Sequence, residues 1–163
     1  MTIRLEQQNK AVHLVATNDD GNQAHLDGSE AIGGEGKGFR PMQMLLVGLG
    51  ACTSMDVISV LNKQKQEMDS YHVHVQGLRT SEGIPAVFEH IHVLFKVNGP
   101  VLEAKLARAI FLSMTKYCSV TRMLQGTAKI TSAYILNDCE EVPVATVGLS
   151  LIHISEPTRL SGI

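Results

Sequence analysis

RPMQMLLVGLGACTSMDVISV, residues 40–60, is the longest strongly apolar run in the chain. From Met42 to about Gln64 the apolar residues recur at helical spacing, and Met44, Leu45, Val47, Gly48, Ala51 and Cys52 fall on overlapping faces. The first half is apolar nearly all round, so the expectation is a buried helix rather than a surface one. Pro41 suits the first helical position, where its missing N–H costs nothing. Gly48, Gly50 and Ala51 offer little bulk, and the two glycines lower helix propensity, so another element is expected to approach closely there. Thr53, Ser54 and Asp56 interrupt the run too soon for a bilayer span. After Leu61 the chain turns polar and leaves the core.

Most of what surrounds this helix reads as strands. Residues 2–7 and 11–16 carry short β-branched and leucine runs, 17–22 (TNDDGN) form a turn signal, and Gln23 to Asp27 returns. Gly28 to Gly38, GSEAIGGEGKG, is a loop leading into the helix. Its Lys37 precedes Gly38 rather than Ser or Thr, so the glycine spacing does not make a phosphate cradle. Tyr71 to Leu78 and Val87 to Val97 alternate as two strands of a long hairpin. A hairpin centred near Glu82 would set His72 opposite His92 and His74 opposite His90. Four imidazoles on one face suggest a metal, but no carboxylate or cysteine completes a geometry, and a solvated outer face explains them as well. Val101 to Tyr117 is an amphipathic helix with the stripe Leu102, Leu106, Ala109, Ile110 and Met114, followed by a short helical segment to Gln125 and a last strand over Thr127 to Leu136. Strands and helices are segregated, which predicts an α+β fold with a mostly antiparallel sheet.

A chain of 163 residues is expected to form one domain. Residues 1–137 hold the pattern, and 138–163 read as an appendage outside the fold. LSLIHISEPTRLSG within that appendage resembles read-through from cloning or adapter sequence, so Cys139 and His153 are set aside, although 142–154 are apolar enough for an extra strand. The formal net charge is −2, with no basic stripe, which argues against nucleic acid. The polar N-terminus MTIRLEQQNK lacks a secretory core, and a cytoplasmic protein without a membrane partner is expected. Three cysteines without a Cys-x-x-Cys pair read as free, redox-active or metal-binding rather than as a disulfide framework.

Two of those cysteines carry the functional question. A buried cysteine is ordinarily a small hydrophobe. Cys118, in KYCSV, stands at the expected N-terminus of the short helical segment, a place that lowers a thiol pKa. Cys52 lies in mid-helix and would need a cation or hydrogen-bond donor from elsewhere. If the two meet, one thiolate can reduce a peroxide and become a sulfenic acid, and the second can condense with it to a disulfide that an external dithiol reopens. An apolar pocket would favour organic hydroperoxides.

RPMQMLLVGLGACTSMDV and KYCSV, with VFEHIHVLFKVNG, the second helix and TAKITSAYIL, resemble the OsmC/Ohr superfamily, and within it the OsmC-like branch of YhfA-type proteins. The resemblance spans essentially residues 1–137. It implies two antiparallel sheets around central helices in an intertwined homodimer, with each site at the subunit interface. It implies thiol-dependent reduction of organic hydroperoxides, Cys52 being peroxidatic and Cys118 resolving, with dihydrolipoyl groups as reductant and no cofactor or metal. In characterised peroxidases of the family a glutamate follows the proline and pairs with an arginine that supports the thiolate. Here Met42 holds that glutamate position and Gln43 the one after it, His25 aligns with the arginine, and Arg40 is the only arginine near the helix start. Arg40, Gln43 and His25 are therefore the candidate supporting residues. The alternative on the same fold is a non-enzymatic protein that binds a hydrophobic small molecule at the dimer interface or senses redox state.

Overall fold

The computed structural model describes residues 1–81 and 84–147. Strands β1 (Ile3–Gln7), β2 (Leu14–Asn18) and β3 (Gln23–Leu26) form an antiparallel meander in the order β1-β2-β3. Helix α1 (Pro41–Lys63) follows. The second sheet has the order β4-β5-β6-β7, with β4 Ser70–Arg79, β5 Phe88–Asn98, β6 Lys129–Leu136 and β7 Val142–Val147. Between β5 and β6 run α2 (Glu103–Leu112), a π-helical turn (Ser113–Tyr117) and α3 (Ser119–Leu124). This is the expected α+β architecture. The second sheet is mixed, because the helices carry the chain back to the starting end of β5 and β6 pairs with it in parallel.

The hairpin β4–β5 alternates as expected: Ile91, Val93, Phe95 and Val97 are buried and form one core with Leu49, Val57 and Leu61 of α1 and Leu106, Ala109 and Ile110 of α2. Its register differs from expectation. His72 lies opposite Lys96, His74 opposite Leu94, and His92 opposite Gln76, four places from the pairing set by a centre at Glu82. The four imidazoles share a face but are spread along it. His90 and His92 both bond to the Thr131 hydroxyl of β6, at 3.1 and 2.7 Å, so neighbouring strands occupy them. Glu82 itself lies outside the described residues.

Two further expectations change. The stretch 142–147, assigned to an appendage, is the edge strand β7 and pairs antiparallel with β6 from Val142↔Tyr134 to Val147↔Ile130. Apolar alternation supplies the physical reason: Val142 and Val144 pack against the core. The adapter-like segment and His153 lie outside the described residues; Cys139 is exposed. The second change concerns α1. Only 28% of its most apolar 18-residue window is buried. Leu49, Thr53, Val57 and Leu61 face the core, while Val47, Ala51 and Met55 lie away from it and are exposed, as is Leu45 near the helix start. One chain covers one side of this helix. The close approach predicted from its small residues occurs at Gly50, where a Cβ would stand 2.9 Å from Val75 Cγ2; at Gly48 the space is open.

The loop before α1 is held by one carboxylate. Asp27 is buried and accepts the backbone N–H of Gly28 (2.8 Å), Glu35 (3.0 Å) and Lys37 (3.0 Å). It folds the glycine-rich segment around an acid, the opposite polarity from a phosphate cradle.

Candidate active site

Cys52 sits on the flank of α1 between its core side and its open side, and is half-buried. Asp56 follows one helical turn later, so both point the same way. Cys118 reaches this flank from α2 through the π turn. There the Cys118 N–H donates to the Ser113 carbonyl at 3.0 Å, five residues back, a widened turn that regular helix would not contain. The Cys118 backbone then switches to an extended conformation and caps α3, its sulfur accepting the Thr121 N–H at 3.3 Å. The result is a cluster in which the sulfurs of Cys52 and Cys118 and a carboxylate oxygen of Asp56 all lie within 4.8 Å of one another. The two thiols do meet.

Ser113, fully buried in the same π turn, locks the cluster from behind. Its hydroxyl lies 3.0 Å from Asp56 Oδ2 and 3.3 Å from the Thr53 carbonyl oxygen, tying α1 to the turn that carries Cys118. The helix N-terminus acts on Cys118 as anticipated, but it does not prevail. Burial is the larger effect and pushes the Cys118 thiol above its ordinary pKa; the neighbouring Cys52 adds to this, and the Thr121 donor only partly opposes it. The expectation of a depressed Cys118 pKa is thus reversed by desolvation.

The candidate supporting residues lie elsewhere in the chain. Gln43 accepts the Arg40 N–H at 2.9 Å through its side chain, which closes the start of α1. His25, on β3, stacks on His13 with ring centroids 5.2 Å apart and a 3.0 Å contact between ring nitrogens. Among the described residues, neither Arg40 nor His25 is hydrogen-bonded to Cys52 or Cys118. Sequence reasoning passed over Asp56 and Ser113. Asp56 had a signal: an acid four places after a cysteine, in a helix otherwise nearly free of charge. Ser113 had none, because its position depends on the π turn.

Two open grooves lie along these elements, and only the second includes a residue of the cluster. One, of about 430 Å³, runs between α1 and β4 and is lined by Leu46, Val47, Gly50, Ala51, Val73 and Val75. The other, of about 500 Å³, includes Cys118, Lys116, Tyr117 and Arg122.

Comparison with known proteins bears on this arrangement. The family model described as OsmC-like protein matches residues 34–133. Protein YhfA of Escherichia coli K12 is 38% identical over 115 residues, covering 70% of this chain and 82% of that protein. Among solved structures, a hypothetical protein from Aquifex aeolicus VF5 is 29% identical with a TM-score of 0.72, covering 83% of this chain and 94% of that one. An organic hydroperoxide resistance protein from Elizabethkingia anophelis shares the fold with a TM-score of 0.64 at 14% identity, over 84% of this chain and 97% of the other.

Proposed function

Because the chain belongs to the OsmC-like family, we propose that it reduces organic hydroperoxides through Cys52 and Cys118. The observation that carries this reading is the convergence of the two sulfurs within 4.8 Å. Cys52 is the attacking thiol, since it is half-buried and reachable, whereas Cys118 is 3% exposed and burial raises its pKa above the ordinary thiol value. The Cys52 thiolate attacks the terminal peroxide oxygen; the O–O bond breaks, an alcohol leaves after protonation, and Cys52 becomes a sulfenic acid. Cys118 then attacks that sulfur, its proton and the hydroxyl leave as water, and the disulfide forms. A dithiol such as a dihydrolipoyl group returns two electrons and two protons by exchange and becomes a disulfide itself.

The exposed apolar side of α1 supports a homodimer in which a second copy covers Leu45, Val47 and Met55. Cys52, at the edge of that side, then lies at the subunit boundary. A cytoplasmic setting, which keeps thiols reduced, belongs to the same proposal. The test is consumption of cumene or fatty-acid hydroperoxide with dithiol present. Wild type is expected to outpace Cys52→Ser clearly, and equal rates refute the catalytic reading. One observation favours the alternative, a binder of apolar molecules or a redox sensor: among the described residues no cation bonds to Cys52. Equal rates together with saturable binding of an apolar ligand would establish it.

A further inference from the structure

Disulfide chemistry needs two sulfurs, yet three donor atoms converge where α1 meets the π turn. The third, the Asp56 carboxylate, is oriented by the buried Ser113 hydroxyl at 3.0 Å. We propose that the reduced protein binds one zinc-like divalent ion between Cys52, Asp56 and Cys118, in competition with the disulfide.

The donor set selects the ion. Two thiolates and one carboxylate suit zinc and its tetrahedral mimics, and thiolates disfavour magnesium and calcium. Zinc–sulfur bonds of about 2.3 Å and zinc–oxygen bonds of about 2.0–2.2 Å put tetrahedral donors roughly 3.5–3.8 Å apart. The observed cluster, within 4.8 Å, needs only a small contraction. Each of two ligands already has an outer partner: Thr121 N–H on Cys118 and Ser113 Oγ on Asp56. Such partners fix ligand orientation and tune affinity. Cys52 and Asp56 come from one helix face at a spacing of four, and Cys118 comes from a separate element, so the ion would cross-link α1 to the π turn. Three protein ligands leave a fourth position for water or another small donor.

Among the described residues no other set of three His, Cys, Asp or Glu side chains converges in this way. His74, His92 and Glu141 line a common groove without meeting that condition. Binding forms two metal–sulfur bonds, breaks two S–H bonds and releases two protons, with no change of oxidation state. A Cys52–Cys118 disulfide removes both thiolates, so ion and disulfide exclude each other. The inference requires reduced, adjacent thiols and does not depend on peroxide turnover.

The experiment uses the whole chain carrying Cys139→Ser, so that the exposed third thiol is silent. Fully reduced protein is titrated with Co²⁺ as a chromophoric probe and then with Zn²⁺. The expected result is one ion per chain, a sulfur-to-cobalt charge-transfer band with intense tetrahedral d–d absorption, and its loss on adding Zn²⁺. The same protein oxidised to the disulfide shows no band, an arm that needs no further mutation. Cys52→Ser and Cys118→Ser weaken or abolish the charge transfer. Asp56→Asn, nearly isosteric and checked for folding by circular dichroism, weakens binding by at least about 10-fold. No charge-transfer band in reduced protein overturns the proposal. So does binding undiminished by Asp56→Asn, or retained in both cysteine variants, which would place the ion on the histidine face.

Discussion

Met55→Ala isolates the consequence of leaving one side of α1 open. Met55 is 71% exposed and lies opposite Leu49, Thr53, Val57 and Leu61 on the same helix. Fully burying a methionine side chain stabilises by about 1.5–3 kcal/mol, so covering the 71% that is exposed is worth about 1–2 kcal/mol. In a two-fold dimer each interface residue counts twice, which gives about 2–4 kcal/mol. At about 1.4 kcal/mol per tenfold, truncation to alanine weakens dimerisation by about 30- to 700-fold. The subunit itself should be little affected, within about 0.5 kcal/mol, because the side chain touches little of its own core. Sedimentation velocity across a dilution series reads the dissociation constant, and urea unfolding at low concentration reads the subunit. An unchanged dissociation constant, or a wild type that stays monomeric at high concentration, refutes the assignment of this side to a second copy. The same experiment reports on the site: peroxide consumption should fall in step with dimer fraction, because Cys52 sits at the edge of the covered surface.

Ser113→Ala removes a buried donor to a carboxylate and should destabilise the fold by about 1–3 kcal/mol in urea unfolding; a change of a few tenths would show that Ser113 does not tie α1 to the π turn. Asp27 predicts an acid transition in the loop before α1. The N–H of Lys37 is the largest influence holding its carboxyl below the ordinary 3.8, burial opposes, and the Glu35 and Gly28 N–H groups add to the lowering. A depressed native pKa gives stabilisation that is complete above the unfolded value and lost as pH falls through the native one. The amide resonances of Gly28, Glu35 and Lys37 should therefore titrate together with a midpoint below 3.8, and a midpoint at or above that value contradicts the carboxylate's role.

Elements with their own periodicity were legible in the sequence. The apolar spacing of 42–64, the proline at its start and the alternation of 87–97 each report a local geometry, and α1 and β5 follow them closely. What escaped depends on relations between elements. Alternation fixes which residues share a face, so the imidazoles of β4 and β5 fall together. It leaves open any even shift, and the true register, four places away, sets His92 against Gln76. Apolar character all round α1 was read as burial, yet within one chain only one side of the helix is covered. The sign of the Cys118 shift was missed for a similar reason: the helix start is local and visible, while desolvation by distant residues is not. The two thiols were nevertheless identified before their proximity was known, because motif and chemistry agreed on them.

The π turn at Ser113–Tyr117 has a geometrical consequence for how this chain tolerates length changes. A helix is a dial on which each residue advances about 100°. The widened turn absorbs one position of that dial, so that Ser113 points at Asp56 while Cys118 still comes round to Cys52. Deleting a single residue between them would restore a regular helix with Cys118 still in phase. Regularising the turn with every residue kept would improve the hydrogen-bond ladder. It would also swing Cys118 by about 100° out of phase with Cys52. Local regularity and alignment of the thiols are thus in opposition here, and the fold keeps the irregular turn.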